Sequence, residues 1–292
     1  MKLKAYKYQG AGNDFIIFDN RNRSISLERN EIKHICNRRF GIGGDGLMML
    51  ESSKNFDFSM RYFNSDGSEG MMCGNGGRCL TAFAAHIGLN TNAFEAVDGI
   101  HHSKIIECSS KRCIVEISMI DVDGIKELSP KRYYLDTGSP QLVIFIDDLK
   151  GHDVIGEGRL WRKHPTFPNG TNVNFVKGNW GRNSSNWSHT LHSGAPLEIS
   201  LRTYERGVED ETYACGSGAV ASSIAYHRLL NSQRIIKPEE FPIKVVTNVR
   251  AVGGDLSVSF NFNGGDNYTD IFLTGPADFV FECEIELENR LF

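Results

Sequence analysis

The chain has 292 residues, more than one typical domain holds, and 40% of them are hydrophobic, enough for about two buried cores. With 23% charged residues and a formal net charge of -4, it has the composition neither of a disordered chain nor of a protein built to grip a phosphate backbone. No apolar run reaches the roughly 18 residues of a membrane helix, Met1 to Tyr6 show no secretory leader, and seven scattered cysteines form no disulfide framework; a cytoplasmic protein with reduced thiols, no membrane and no nucleic-acid partner is expected.

Taken in chain order, apolar and β-branched runs read as strands at Phe15–Phe18, Leu47–Leu50, Phe58–Phe63 and Cys113–Ile117. A surface-type helix is read between the first two, over Glu28–Cys36. A second helix follows Cys73, over Gly76–Ile87, apolar on nearly every face and so expected to be buried all round. The charged stretches Asp121–Lys126 and Lys131–Tyr133 read as a surface connection. Further strands follow at Leu142–Ile146, Val173–Val176 and Leu197–Leu201, with a polar loop over Gly178–Ser193 that Trp180 and Trp187 would anchor by packing. Another apolar helix is read over Gly218–Leu230, then strands at Lys244–Val246, Leu256–Phe260 and Phe279–Phe281.

The two apolar helices belong to an internal repeat. Tyr62 to Gly76 aligns without gaps on Tyr204 to Gly218, with Tyr, Glu, Cys and two Gly coinciding. A weaker echo links Gly12–Ile17 with Gly138–Val143. A period near half the chain indicates duplicated domains rather than a solenoid, so two similar halves are expected, each a curled sheet around one buried helix.

Five cysteines, Cys36, Cys79, Cys108, Cys113 and Cys283, read as small buried hydrophobes. Cys108 and Cys113 have no second Cys or His pair nearby at metal spacing, so no metal site is expected. Cys73 and Cys215 differ. Each stands in Glu-x-x-x-Cys-Gly-x-Gly at the mouth of a helix. Unpaired N–H groups and a partial positive charge there favour thiolate over thiol and cradle an anion such as a carboxylate. Two matched thiols suit inversion of a stereocentre: one takes the α-proton from one face and the other delivers a proton to the opposite face. A thiol redox role would also use two cysteines, but no Cys-x-x-Cys pair supports it.

The motifs resemble those of the diaminopimelate epimerase family over almost the whole chain. They are Gly10 to Phe15, Gly41 to Gly46, Phe63 to Glu69, Cys73 to Arg78, Thr137 to Pro140, Asn169 to Phe175 and Glu205 to Gly218. The resemblance implies an α+β fold of two pseudo-symmetric halves, each a mostly antiparallel curled sheet wrapped around a central buried helix. The halves are expected over residues 1–125, rejoined by the C-terminal strand 276–292, and 126–275. It implies a cofactor-independent isomerase of lysine and peptidoglycan synthesis that interconverts LL- and meso-diaminopimelate, with no pyridoxal phosphate and no metal, among members that are often homodimers. A related two-cysteine racemase of another amino acid is the alternative.

Carried over by position, Cys73 and Cys215 match the acid/base pair, and Gly74, Asn75, Gly216 and Ser217 match the backbone that holds the reacting carboxylate. Asn13 matches a residue positioning the reacting centre. Asn64, Asn172 and Arg206 match ligands of the distal carboxylate, and Glu205 a residue beside the amines. A buried Arg206 next to a glutamate also fits bidentate carboxylate recognition on its own chemistry. Glu69, Glu211 and Asp45 read as structural. The chain departs from the family where Ser139-Pro140-Gln141 replaces Asn-Pro-His and Gly46 replaces a Gln of some members. Ser139 can still donate a hydrogen bond to substrate, but Gln141 cannot titrate as histidine does.

Overall fold

The computed structural model describes residues 2–178, 195–232 and 242–287. The chain divides into two compact units, one formed by Met1–Ile117 with Gly275–Phe292 and the other by Ser118–Thr274.

The first unit contains β1 (Lys2–Gly10), β2 (Asn13–Asp19), α1 (Arg29–Ile35), β3 (Gly46–Glu51), β4 (Phe58–Asn64), α2 (Gly74–His86), β5 (Ala93–Ala96), β6 (Gly99–Cys108) and β7 (Arg112–Ser118). β2 runs parallel to β3 and β4 to β5, while β1–β2, β3–β4, β5–β6 and β6–β7 are antiparallel. The last long strand, β17 (Asn267–Glu286), pairs antiparallel with both β7 and β1 and closes the strands into a ring. Asp278 sits at that closure, opposite Gln9 on one side and Arg112 on the other, and takes both guanidinium donors of Arg112 at 2.6 and 2.7 Å.

Inside the ring lies α2, against β1, β2, β3, β4 and β6. Every residue from Gly74 to Ala84 is buried. Three glycines in its first turn cost helix propensity of about 1 kcal/mol each. Burial of Leu80 and Phe83, at about 1.5–3 kcal/mol per side chain, offsets that. The small residues also let the helix come close: a Cβ at Gly76 would meet Met48 Sδ at 3.0 Å. On the other face of β2 and β3, Ile32 and Ile35 of α1 join Ile16, Phe18, Leu47 and Met49 in a second core.

The second unit repeats this order. Its elements are β8 (Val122–Asp123), β9 (Lys126–Ser129), β10 (Arg132–Asp136), β11 (Pro140–Phe145), α3 (Val154–Arg162), β12 (Asn172–Gly178), β13 (Leu197–Glu205), β14 (Asp210–Thr212), α4 (Gly216–Ser232), β15 (Ile243–Ala251) and β16 (Gly254–Phe262), followed by β17. From β10 to β17 the pairings run antiparallel, parallel, antiparallel, parallel, antiparallel, antiparallel, as they do from β1 to β7. α4 packs on β10 to β13, β15 and β16, with Ala219 to His227 all buried. The mixed fold, mostly antiparallel with one central buried helix per half, is the one expected.

Three expectations need correction. The charged stretches read as a surface connection are strands β8, β9 and β10, in which Tyr133 is buried. Cys108 and Cys113, read as small buried hydrophobes, are register partners across the β6–β7 hairpin with their sulfurs in contact, and Cys108 is exposed. Arg206, expected to be buried, is half-buried at the end of β13, where the chain turns at Gly207. Gly178 closes β12, and the rest of the polar loop, Trp180 and Trp187 included, lies outside the described residues.

Candidate active site

In the first unit Cys73 occupies the position just before α2, in extended backbone (φ -111°, ψ 120°). Its Sγ lies 3.6 Å from Asn13 Oδ1. The Asn13 amide is oriented from behind: its Nδ2 donates to the Asp45 carboxylate at 2.7 Å, an acceptor, so Oδ1 faces Cys73 and accepts from Asn75 Nδ2 at 3.3 Å. Asp45 in turn belongs to an ionic cluster. Arg38 contacts both Asp14 (2.6 Å) and Asp45 (2.7 Å), and Lys7 contacts Asp14 at 2.7 Å. Burial alone would raise the Asp14 carboxyl; hydrogen bonds from Arg38 and Lys7 outweigh it and hold the group at about 2.

Arg78, one turn into α2, has no exposed surface. It donates to Asn75 Oδ1 at 2.9 Å and to the carbonyls of Gly74 (3.3 Å) and Pro276 (3.4 Å). Burial lowers its pKa to about 10, with neighbouring Cys79 and Cys73 acting in the opposite sense. Sequence reasoning quoted Arg78 in a motif and gave it no role, and read Asp45 as structural. The signal that separates them is orientation: both are tied to the amides beside Cys73. Asn64 ends β4, exposed, donating to Ser68 Oγ at 3.1 Å. A side chain at Gly46 would collide with Tyr62, its Cβ falling 2.4 Å from the ring, so Tyr62 takes the space a glutamine would need.

In the second unit Cys215 is buried immediately before α4. Its Sγ accepts from the Gly218 N–H at 3.4 Å and lies 3.5 Å from Ser217 Oγ. Around them the structure gathers Ser139, whose Oγ is 3.3 Å from Ser217 Oγ, and Gln141, which donates to Ser139 Oγ at 2.8 Å and Ser217 Oγ at 3.0 Å. Asn172 donates to Ser139 Oγ at 3.4 Å and accepts from the Arg206 N–H at 2.8 Å. Half-buried Glu205 lies at the end of β13, opposite Asp210. Gly74 and Asn75 open α2, and Gly216 and Ser217 open α4; a helix start presents N–H groups without intrahelical partners, as carboxylate binding requires.

Gly218 illustrates how closely this wall is packed: a Cβ there would lie 2.3 Å from Asn174 Oδ1. Gly218→Ala is therefore expected to cost about 1–3 kcal/mol through overpacking, read as a shift in the denaturant midpoint at unchanged slope. An unshifted midpoint would show that Asn174 yields freely.

The remaining thiols are chemically quiet. Burial pushes Cys36 up to about 12 and raises Cys79 and Cys283.

A family model described as diaminopimelate epimerase matches residues 5–106 and 133–280. A diaminopimelate epimerase of Flavobacterium psychrophilum is 42% identical over 289 residues, covering 97% of this chain and 100% of that protein. One from Chlorobaculum tepidum is 37% identical over 283 residues, covering 95% and 99%. Among solved structures, a phenazine biosynthesis protein of the PhzF family from Bacillus anthracis superposes with a TM-score of 0.71 at 14% identity, covering 98% of this chain and 100% of that one. A hydroxyproline epimerase from Agrobacterium vitis superposes with a TM-score of 0.61 at 12% identity, covering 97% and 91%. These two likenesses concern the fold.

Proposed function

The chain belongs to the diaminopimelate epimerase family, and on that premise we propose that it interconverts LL- and meso-2,6-diaminopimelate by carrying the α-proton between Cys73 and Cys215. The observation that supports this most is the pairing of one cysteine with one buried helix start in each of two units of matching topology. Inversion needs a base on one face of the α-carbon and an acid on the other. A thiolate and a thiol of similar intrinsic acidity exchange these roles when the reaction runs backwards, so one enzyme state serves each direction.

Removing the α-proton leaves charge on the reacting carboxylate. In this reading the N–H groups of Gly74, Asn75, Gly216 and Ser217 receive that charge, prepositioned at helix starts. Asn13 orients the reacting centre, Asn64, Asn172 and Arg206 take the distal carboxylate, and Glu205 lies beside the amines. The enzyme is an isomerase serving lysine biosynthesis. Among the described residues no helix is long and apolar enough to cross a membrane. We extend the reading to a cytoplasmic homodimer acting on a small amino acid; light scattering of the purified chain checks the assembly, and a monomeric mass removes the dimer.

The test is incubation of reduced protein with diaminopimelate isomers in heavy water. LL and meso forms are expected to interconvert with one deuterium entering the inverted centre. A folded protein with free Cys73 and Cys215 that gives neither conversion nor exchange would overturn the assignment and direct the search to other amino acids.

A further inference from the structure

We infer that Gln141 is a positioning residue for Cys215: it fixes the direction of the Ser139 and Ser217 hydroxyls so that Ser217 donates its proton to Cys215 Sγ. The inference rests on the reading of Cys215 as the reactive thiol of this unit.

The argument is one of donors and acceptors. Leu142 O is a backbone carbonyl and accepts from Asn174 Nδ2 at 3.2 Å, which fixes which end of the Asn174 amide is nitrogen. Thr203 Oγ1, donating to Asn174 Oδ1 at 2.9 Å, agrees with that orientation. Asn174 Nδ2 then donates to Gln141 Oε1 at 2.8 Å, so the amide nitrogen of Gln141 is the end that faces Ser139 and Ser217. Gln141 has no exposed surface, and its hydrogen-bonding partners Ser139, Ser217 and Asn174 are all uncharged.

A hydroxyl has one proton and two lone pairs. Ser139 Oγ accepts from Gln141 Nε2 and from Asn172 Nδ2, which uses both lone pairs, so at its contact with Ser217 it is the donor. Ser217 Oγ accepts from Gln141 and from Ser139, which uses both of its own. One contact remains for the Ser217 proton, Cys215 Sγ at 3.5 Å. With the Gly218 N–H, the sulfur then receives two hydrogen bonds, and hydrogen bonds to the charged form favour thiolate. A non-titrating amide thus keeps Cys215 an acceptor across the working pH range, in the place where the resembled family often carries an imidazole.

The experiment measures the pH profile of iodoacetamide alkylation at Cys215, read on its own peptide by mass spectrometry in the folded, reduced full chain. Restricted access scales the rate, while the midpoint follows the ionisation of the thiol in its surroundings. Gln141→Met, which removes both donors without adding charge, and Ser217→Ala are each expected to raise the midpoint by about one pH unit, and the double variant by no more than Ser217→Ala alone. Gln141→Glu keeps the contact with Asn174 but turns two donors into acceptors, and is expected to shift the profile at least as far. If Gln141→Met does not fold, Gln141→Glu and Ser217→Ala decide. Wild-type midpoints in the folded variants, or shifts that add in the double variant, would overturn the inference. The readout needs no turnover, so failure here and failure to act on diaminopimelate are separate results.

Discussion

Serine in place of Cys73 or Cys215 is expected to lower epimerisation by about 10²–10⁴-fold, the usual worth of a positioned acid or base. The loss should fall on kcat, because a serine hydroxyl still fits the site but neither takes nor gives a proton near neutral pH. Stability should change little. In Cys215→Ser the new hydroxyl keeps the Gly218 N–H and Ser217 as partners, and Cys73 is only partly buried. A further signature separates two bases from one. The surviving cysteine can still remove the α-proton from its own face and return a deuteron there, so solvent exchange into one stereoisomer should outlast inversion. Turnover near the wild-type rate in either variant, with folding verified, would end the two-thiol mechanism.

Arg78→Met is the second large effect, and its interest is that activity and stability should part. A buried cation normally sits against an anion; the described partners of Arg78 are two carbonyls and an amide oxygen. Its desolvation is costly, as the lowered pKa of about 10 records. Methionine of similar length relieves that cost while giving up three hydrogen bonds, so the melting temperature should stay within a few degrees. What methionine cannot supply is the charge beside Cys73 and the hold on the Asn75 amide. A thiolate at Cys73 and the guanidinium stabilise each other, and the Asn75 amide is tied to the Asn13 oxygen that faces the sulfur. We expect kcat to fall at least about tenfold, with Cys73 alkylation displaced to higher pH. Unchanged kcat in a stable Arg78→Met protein would reduce Arg78 to packing.

The sequence made the two buried helices and the cysteines that precede them legible because each signal is local. Cys-Gly-x-Gly before an apolar run marks a helix start next to a thiol, and its recurrence exposed the duplication. β1 was not read, although Leu3 and Ala5 are buried and Lys2 and Lys4 exposed in strict alternation. A register shift against β17 between Lys7 and Tyr8 buries two consecutive residues and breaks the period. The helix α3 was missed because Gly156 and Gly158 weaken its propensity. Gly158 is there for a tertiary reason, since a Cβ would fall 2.4 Å from Tyr204 Cβ. The supporting residues of the site were hidden for a different cause. Asn13 and Asp45 are 32 residues apart, and Arg78 reaches Pro276 across 198. Which end of an amide points where is decided by such partners, and no spacing rule carries it.

The strand β17 gives synthesis of this chain an unusual order. The first seven strands leave the ribosome early, yet the ring they form lacks its closing member until the residues after Gly275 emerge. All of Ser118–Thr274 is made in the interval, while β1 and β7 each present an unpaired edge, the kind of surface on which unfinished chains join one another. The alternating lysines of β1 serve a growing chain as well as a folded one: until its partner arrives, an edge bearing the exposed Lys2 and Lys4 repels its own copies.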